Sequence, residues 1–128
     1  MKKIDLEELT NCEVLVMKVI WSSAEAMSIQ EILRAVNEAY GKDWKVQTVS
    51  TFLSKMVKKG YLDMRRQGRT FFYHPLVTEK EYGKREIRKC VELWGGGKIS
   101  GMLAAFAKEQ GLTAEERREI GGLLDELD

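Results

Sequence analysis

Four segments of the chain carry the pattern of a helix capping box, a Ser or Thr followed three residues later by Glu. They are Thr10–Glu13, Ser28–Glu31, Thr78–Glu81 and Thr113–Glu116. In a capping box the hydroxyl accepts from the backbone N–H of the Glu, and the carboxylate accepts from the backbone N–H of the capping residue. Each box therefore predicts where a helix begins. Because the boxes are spread over the whole chain, a mainly helical fold is expected.

Hydrophobic periodicity predicts the extent of these helices. Apolar residues recur at helical spacing over residues 11–21, 29–40, 46–59 and 79–94, which predicts one helix for each range. Two further apolar stripes lie on either side of Gly111. Gly41, Gly60 and Gly111 follow three of the predicted helices, in the position where a left-handed residue commonly ends a helix.

Residues 61–75 are the only stretch with the pattern of β-strands. Leu62, Met64, Phe71 and Tyr73 supply the alternation, and Gln67-Gly68 is the predicted turn. Three helices followed by a hairpin form a winged helix-turn-helix. We therefore expect a mainly α fold with a small β-hairpin, in which residues 1–77 form a winged-helix domain and residues 78–128 a helical dimerisation region.

The net charge of +1 hides a strong segregation of charge along the chain. Residues 1–41, 42–77 and 78–128 have charge balances of −3, +6 and −2, and the third predicted helix has no acidic residue. Short polar side chains suit base edges in the major groove of duplex DNA, and cations suit its phosphates. Lys59 is expected to extend this cationic surface. The candidate DNA-binding residues are Gln47, Thr48, Ser50, Thr51, Lys55, Lys58, Arg65, Arg66 and Arg69.

Other functions remain open from the residues alone. A winged helix that binds an acidic protein without binding DNA would present a similar surface, and basic side chains also protect the edges of hairpins. An enzyme or a metal sensor is disfavoured, because His74 is the only histidine and Cys12 and Cys90 are far apart. No catalytic residue, metal site or cofactor is expected, and both cysteines are expected in the core.

The C-terminal stripes predict contact with a second copy of the chain. The candidate dimerisation residues are Ile99, Met102, Leu103, Phe106, Ile120, Leu123, Leu124 and Leu127. Residues 78–128 are too few for an independent core, so these stripes pack either in a two-fold interface or against the winged-helix domain. The glycines at 95–97 favour the interface. With no transmembrane or signal segment expected, a cytoplasmic location is predicted.

Several stretches resemble the penicillinase repressors, the BlaI/MecI/CopY family of winged-helix transcriptional regulators. They are residues 9–21, 44–53, 58–62, 68–73 and 97–109. The resemblance implies a dimeric cytoplasmic repressor that binds a dyad of operator DNA. It places Gln47, Thr48, Ser50 and Thr51 at recognition-helix positions, and Lys55 and the hairpin arginines at positions that contact the DNA backbone.

The resemblance also bears on how repression ends. In the β-lactam-sensing branch, release involves proteolysis in the dimerisation region, which implies a membrane sensor protease as a partner. The matching bond is Ala105–Phe106, and relatives with this switch usually have Asn where this chain has Ala105. The copper-sensing branch has a cysteine-rich tail, which the last residues of this sequence lack, so a response to copper is not expected.

Overall fold

The computed structural model describes residues 7–109 and 111–127, and its secondary structure there is mainly helical. The helices are α1 (Asn11–Ser22), α2 (Ile29–Tyr40), α3 (Val46–Lys58), α4 (Glu79–Trp94), α5 (Ile99–Glu109) and α6 (Ala114–Glu126). The strands are β1 (Met27–Ser28), β2 (Leu62–Gln67) and β3 (Thr70–Pro75). The chain separates into two compact units, and the division falls between Tyr82 and Gly83. The predicted fold class, mainly α with a small β-structure, is confirmed.

All four capping boxes form, and each begins a helix. The Thr10 hydroxyl accepts from the Glu13 N–H at 3.2 Å, and the Glu13 carboxylate accepts from the Thr10 N–H at 2.8 Å. The same reciprocal pair of bonds forms in the other three boxes. Hydrogen bonds from the backbone and hydroxyl of the capping residue hold the pKa of Glu31 and Glu116 below the ordinary carboxyl value.

The core of the first unit is built from the apolar stripes of α1, α2 and α3. Its fully buried members, together with those of the chain that follows α3, are Val16, Met17, Ile32, Val36, Val49, Leu53, Met56, Tyr61 and Leu62. On α3 the buried positions fall at the helical spacing expected from the sequence. Burial of this stripe determines which side of α3 faces outward.

The sheet differs from the predicted hairpin in two ways. It has three antiparallel strands in the order β1-β3-β2, and β1 pairs Met27 with Tyr73. A two-residue strand is too short to show alternation, so the sequence did not reveal it. The hairpin loop is Gly68-Arg69 rather than Gln67-Gly68, because Gln67 pairs with Thr70. Gly68 has φ of +67°, and the first central position of a type II′ turn favours glycine for this reason.

Aromatic contacts attach the first turn of α4 to the first unit. The Trp21 indole N–H donates to the Val77 carbonyl at 2.8 Å. The Tyr82 ring lies 5.8 Å, centroid to centroid, from the rings of both Trp21 and Tyr61. Residues up to Tyr82 are thereby packed with the three-helix core.

The second unit leaves most of its apolar side chains on its surface. Val91 is buried, but Ile87 and Trp94 are exposed although they lie on the apolar stripe expected for α4. Cys90 is exposed and Cys12 is only partly buried, so the expectation that both cysteines lie in the core is wrong. A unit of short helices has too little volume to cover every apolar face. No described helix is long and apolar enough to cross a membrane.

Candidate nucleic-acid interface

The outward side of α3 is polar and contains no carboxylate. Gln47, Ser50, Thr51, Lys55 and Lys58 are exposed, and Thr48 is partly buried. Buried Val49, Leu53 and Met56 hold the opposite side against the core, so the helix cannot rotate without exposing them. The Thr51 hydroxyl donates to the Gln47 carbonyl at 3.0 Å, which leaves its oxygen lone pairs available as acceptors.

Asn37 links the end of α2 to the beginning of α3. Its side-chain amide donates to the Trp44 carbonyl, and its side-chain oxygen accepts from the Trp44 N–H, both at 3.1 Å. The Trp44 ring also packs edge-on against Phe52 at 5.2 Å. These contacts set the turn of the helix-turn-helix, and sequence reasoning missed Asn37. The sequence did contain a signal for this contact, because Asn37 stands four residues before Gly41, the glycine that ends α2.

Three arginines lie at the tip of the wing, the hairpin formed by β2 and β3. Arg65 pairs through Nε with Asp63 at 2.7 Å, and Arg66 donates from Nε to the Gly68 carbonyl at 2.9 Å. Arg69 occupies the two-residue loop and is exposed. Each of the predicted wing arginines therefore presents a cationic end to solvent.

Lys59 does not belong to the cationic surface that the sequence suggested. Its ammonium lies 2.8 Å from the Glu13 carboxylate and donates to the Glu8 carbonyl at 2.9 Å. The Glu13 side chain is 1% exposed. Lys59 follows the last residue of α3, and its side chain is directed towards Glu8 and Glu13, while the side chain of Lys58 stays exposed.

Residues 42–77, which have a charge balance of +6, contain two acidic residues, and neither lies on α3. Asp43 lies 3.6 Å from Lys45 in the loop before the helix, and Asp63 pairs with Arg65 on the wing. Both ion pairs are solvent-exposed, where such pairs contribute little energy. The positive potential of Lys55, Lys58 and the wing tip therefore persists, which favours a polyanionic partner.

A groove of about 470 Å³ lies beside the wing. It is lined by Glu25, Ala26, Arg65, Arg66, Gln67, Phe72 and His74. His74 is partly buried on β3 opposite Asp63, with no nucleophile paired to it among the described residues. Over residues 7–109 and 111–127, no three His, Cys, Asp or Glu side chains are grouped to hold a metal ion.

The expected dimerisation residues lie on α5 and α6 with their apolar side chains largely uncovered. Ile99, Phe106, Leu123, Leu124 and Leu127 are exposed, while Met102, Leu103 and Ile120 are partly buried. The Ala105–Phe106 bond lies inside α5, and both residues are exposed.

Similarity to known proteins extends over nearly the whole chain. The family model described as penicillinase repressor matches residues 9–126. A penicillinase repressor of Bacillus licheniformis is 29% identical over 126 residues, covering 98% of this chain and 94% of the relative. The solution structure of the DNA-binding domain of the repressor BlaI is similar, with a TM-score of 0.52, 32% identity and coverage of 64% of this chain and 94% of that domain. Bacillus licheniformis BlaI in monomeric form, in complex with the blaP half-operator, has a TM-score of 0.51 and 29% identity, with coverage of 61% and 92%.

Proposed function

The chain belongs to the penicillinase repressor family, and we propose that it is a sequence-specific DNA-binding transcriptional repressor that binds a dyad operator as a homodimer. The family is one of regulators, not of enzymes. The observation that carries the proposal is the carboxylate-free outer face of α3 beside a wing with three arginines.

In this proposal α3 enters the major groove and reads base edges. Gln47 can form a bidentate pair with adenine, and the hydroxyls of Thr48 and Ser50 can donate or accept at several bases. The Thr51 hydroxyl, which donates to the Gln47 carbonyl, can accept from a base donor. The methyl groups of the threonines can contact the methyl of thymine. The support is that these side chains lie along one outward face of a helix whose other face is buried.

The cationic residues position the protein on the DNA backbone. Lys55 and Lys58 extend from the same helix, and Arg65, Arg66 and Arg69 extend from the wing. Phosphate contacts of this kind set orientation and carry no sequence information. Each contact that is made contributes about −0.9 to the slope of log K against log salt concentration, so binding is expected to weaken steeply as salt is added.

Two copies of the chain are proposed to bind through their second units. The exposed apolar side chains of α5 and α6 form stripes that a two-fold interface would cover. A relative bound as a monomer to a half-operator supports one protomer for each half of a dyad. The predicted boundary at residue 77 is retained as part of this proposal, with residues 78–128 forming the dimerisation region.

Release of the operator is proposed to begin with an inducing signal that acts on the second unit, in the cytoplasm. The candidate event is cleavage near Ala105–Phe106 by a membrane sensor protease. Because this bond lies inside α5, the helix must unwind locally before a protease can bind it in extended form. Alanine has the highest helix propensity, so Ala105 opposes this unwinding.

Selection of DNA ligands from a pool of random duplexes tests the proposal, because the selected sequences themselves define the operator. The full chain is expected to enrich a motif with two-fold symmetry and to bind it more tightly than random duplex, with strong salt dependence. No enriched motif, together with capture of an acidic protein partner, would instead support a winged-helix module for protein interaction. Enrichment of a single unrepeated half-site would contradict the dyad.

A further inference from the structure

We propose that Phe71 is a positioning residue that holds the Arg66 guanidinium ready for contact with DNA; this inference rests on the proposed function. Arg66 and Phe71 are directly opposite each other on β2 and β3. Cζ of Arg66 lies over the Phe71 ring, 5.9 Å from its centroid. Nε of Arg66 donates to the Gly68 carbonyl at 2.9 Å, so the same guanidinium is restrained from two directions.

Phe71 is exposed and does not belong to the hydrophobic core, so packing in the core does not explain an aromatic residue at this position. Its side chain is 44% exposed, whereas Tyr73, two residues later on the same face of β3, is 9% exposed and belongs to the core cluster. A large aromatic side chain left in solvent near a hairpin tip gains little from burial. Its ring face does offer the negative quadrupole to which a guanidinium is attracted.

An arginine side chain that is already restrained in the free protein loses less conformational entropy when it binds DNA. An exposed arginine samples many rotamers, and immobilising it on a partner costs conformational entropy. Arg66 contacts Phe71 through the approach of its Cζ to the ring, and it contacts Gly68 through Nε. The two terminal nitrogens are then left to form a bidentate contact with a phosphate.

Arg65, the preceding residue on β2, differs from Arg66 in having a charged partner. Its Nε pairs with the Asp63 carboxylate at 2.7 Å, which partly cancels its charge. The Arg66 contacts are with a neutral carbonyl and a neutral ring, so they orient the side chain and leave its charge intact. Arg66 is therefore better oriented than Arg65 to bind a phosphate, and its charge is less neutralised.

A double-mutant cycle in the full chain tests this inference with the selected duplex. Phe71→Leu is expected to weaken binding about 3-fold per wing, as loss of an exposed cation–π contact predicts, with the salt slope unchanged. Phe71→Tyr restores an aromatic ring and should restore affinity. Arg66→Ala is expected to weaken binding about 10-fold per wing and to reduce the salt slope by about 0.9. The double variant should bind as Arg66→Ala does, and Leu76→Ala, which removes another exposed apolar side chain, should change nothing.

NMR of the free protein supplies a readout that does not involve DNA. The ring current of Phe71 should shift the Arg66 Nε–H resonance, and Phe71→Leu should abolish the shift. Additive effects in the cycle, or loss of affinity in Phe71→Tyr equal to that in Phe71→Leu, overturn the inference while leaving the proposed function standing. If the unmodified chain selects no duplex, the proposed function fails and this inference fails with it.

Discussion

The Lys59 ammonium lies 2.8 Å from the carboxylate of Glu13, a side chain that is 1% exposed. The same carboxylate oxygen accepts from the Thr10 N–H at 2.8 Å. One oxygen thus completes the capping box of α1 and binds the cation that follows α3. Burial acts to raise the pKa of Glu13, but the bonds from Lys59 and Thr10 together outweigh it, so the pKa lies below its ordinary value of 4.5.

We expect Lys59→Met to destabilise the protein by about 3 kcal/mol, because removing one partner leaves the other charge buried without compensation. Lys58→Met is the matched control, since Lys58 is exposed on the preceding residue, and its effect should stay within about 0.5 kcal/mol. Urea unfolding at a fixed protein concentration measures both. Equal losses in the two variants would show that the buried pair does not stabilise the fold.

The stabilisation from Glu13 should depend on pH. A carboxyl whose folded pKa is below its unfolded value stabilises the protein fully above the unfolded value, and this contribution is lost as pH falls through the folded pKa. The difference in unfolding free energy between the unmodified chain and Glu13→Gln should therefore be largest near neutral pH and shrink below the ordinary value of 4.5. Urea unfolding at a series of pH values checks this, and a difference that grew in acid would have the wrong sign.

Thr51 and Lys58 should affect DNA binding in different ways. Thr51→Ala is expected to reduce the preference for the selected duplex over random duplex by about 1 kcal/mol, since a base contact is lost. Thr51→Ser, which keeps the hydroxyl, should retain part of this preference. Lys58→Met should weaken binding to both duplexes alike and reduce the salt slope by about 0.9. Fluorescence anisotropy titrations at several salt concentrations separate the two patterns.

Leu124→Asp and Phe106→Asp should convert the proposed dimer to monomers, because each would place a carboxylate in its apolar interface. Lys108→Asp is the control, since Lys108 lies about 200° around α5 from Phe106. Sedimentation velocity should detect monomers only for the first two, and these should also lose tight binding to the dyad while still binding a half-site. A Leu124→Asp chain that remains dimeric would place the interface elsewhere.

Ala105→Asn should make α5 easier to cleave. Asparagine has a lower helix propensity than alanine by about 0.6 kcal/mol, so local unwinding around the Ala105–Phe106 bond becomes more frequent. Digestion with a protease that cuts before large apolar residues, followed by mass spectrometry, should show faster cleavage at this bond. Ala104→Asn is the control, because it weakens the helix similarly. A faster cleavage of Ala105→Asn than of Ala104→Asn would show that the protease recognises the side chain at position 105.

Much of the fold follows from local sequence, and the candidate interface does so in part. The four capping boxes, the stripe of α3 and the left-handed Gly41 were all predicted and are present. The three arginines of the wing are exposed, and so are the candidate side chains of α3 except Thr48, which is partly buried. Their roles in binding DNA stay predictions that the experiments above address.

Local sequence is sufficient to predict where the helices begin and end, because a capping box or a helical stripe depends on residues within four positions of each other. Three features depend on the tertiary structure: the pairing of Met27 with Tyr73, the inward direction of the Lys59 side chain, and the position of Arg66 over the Phe71 ring. Lys58 and Lys59 are identical as residues, and local sequence assigns both to a cationic helix end. Only the packing of α1 against α3 brings a buried carboxylate within reach of the second one. Because that carboxylate is desolvated, losing its cation is expected to cost far more than losing a partner at the surface.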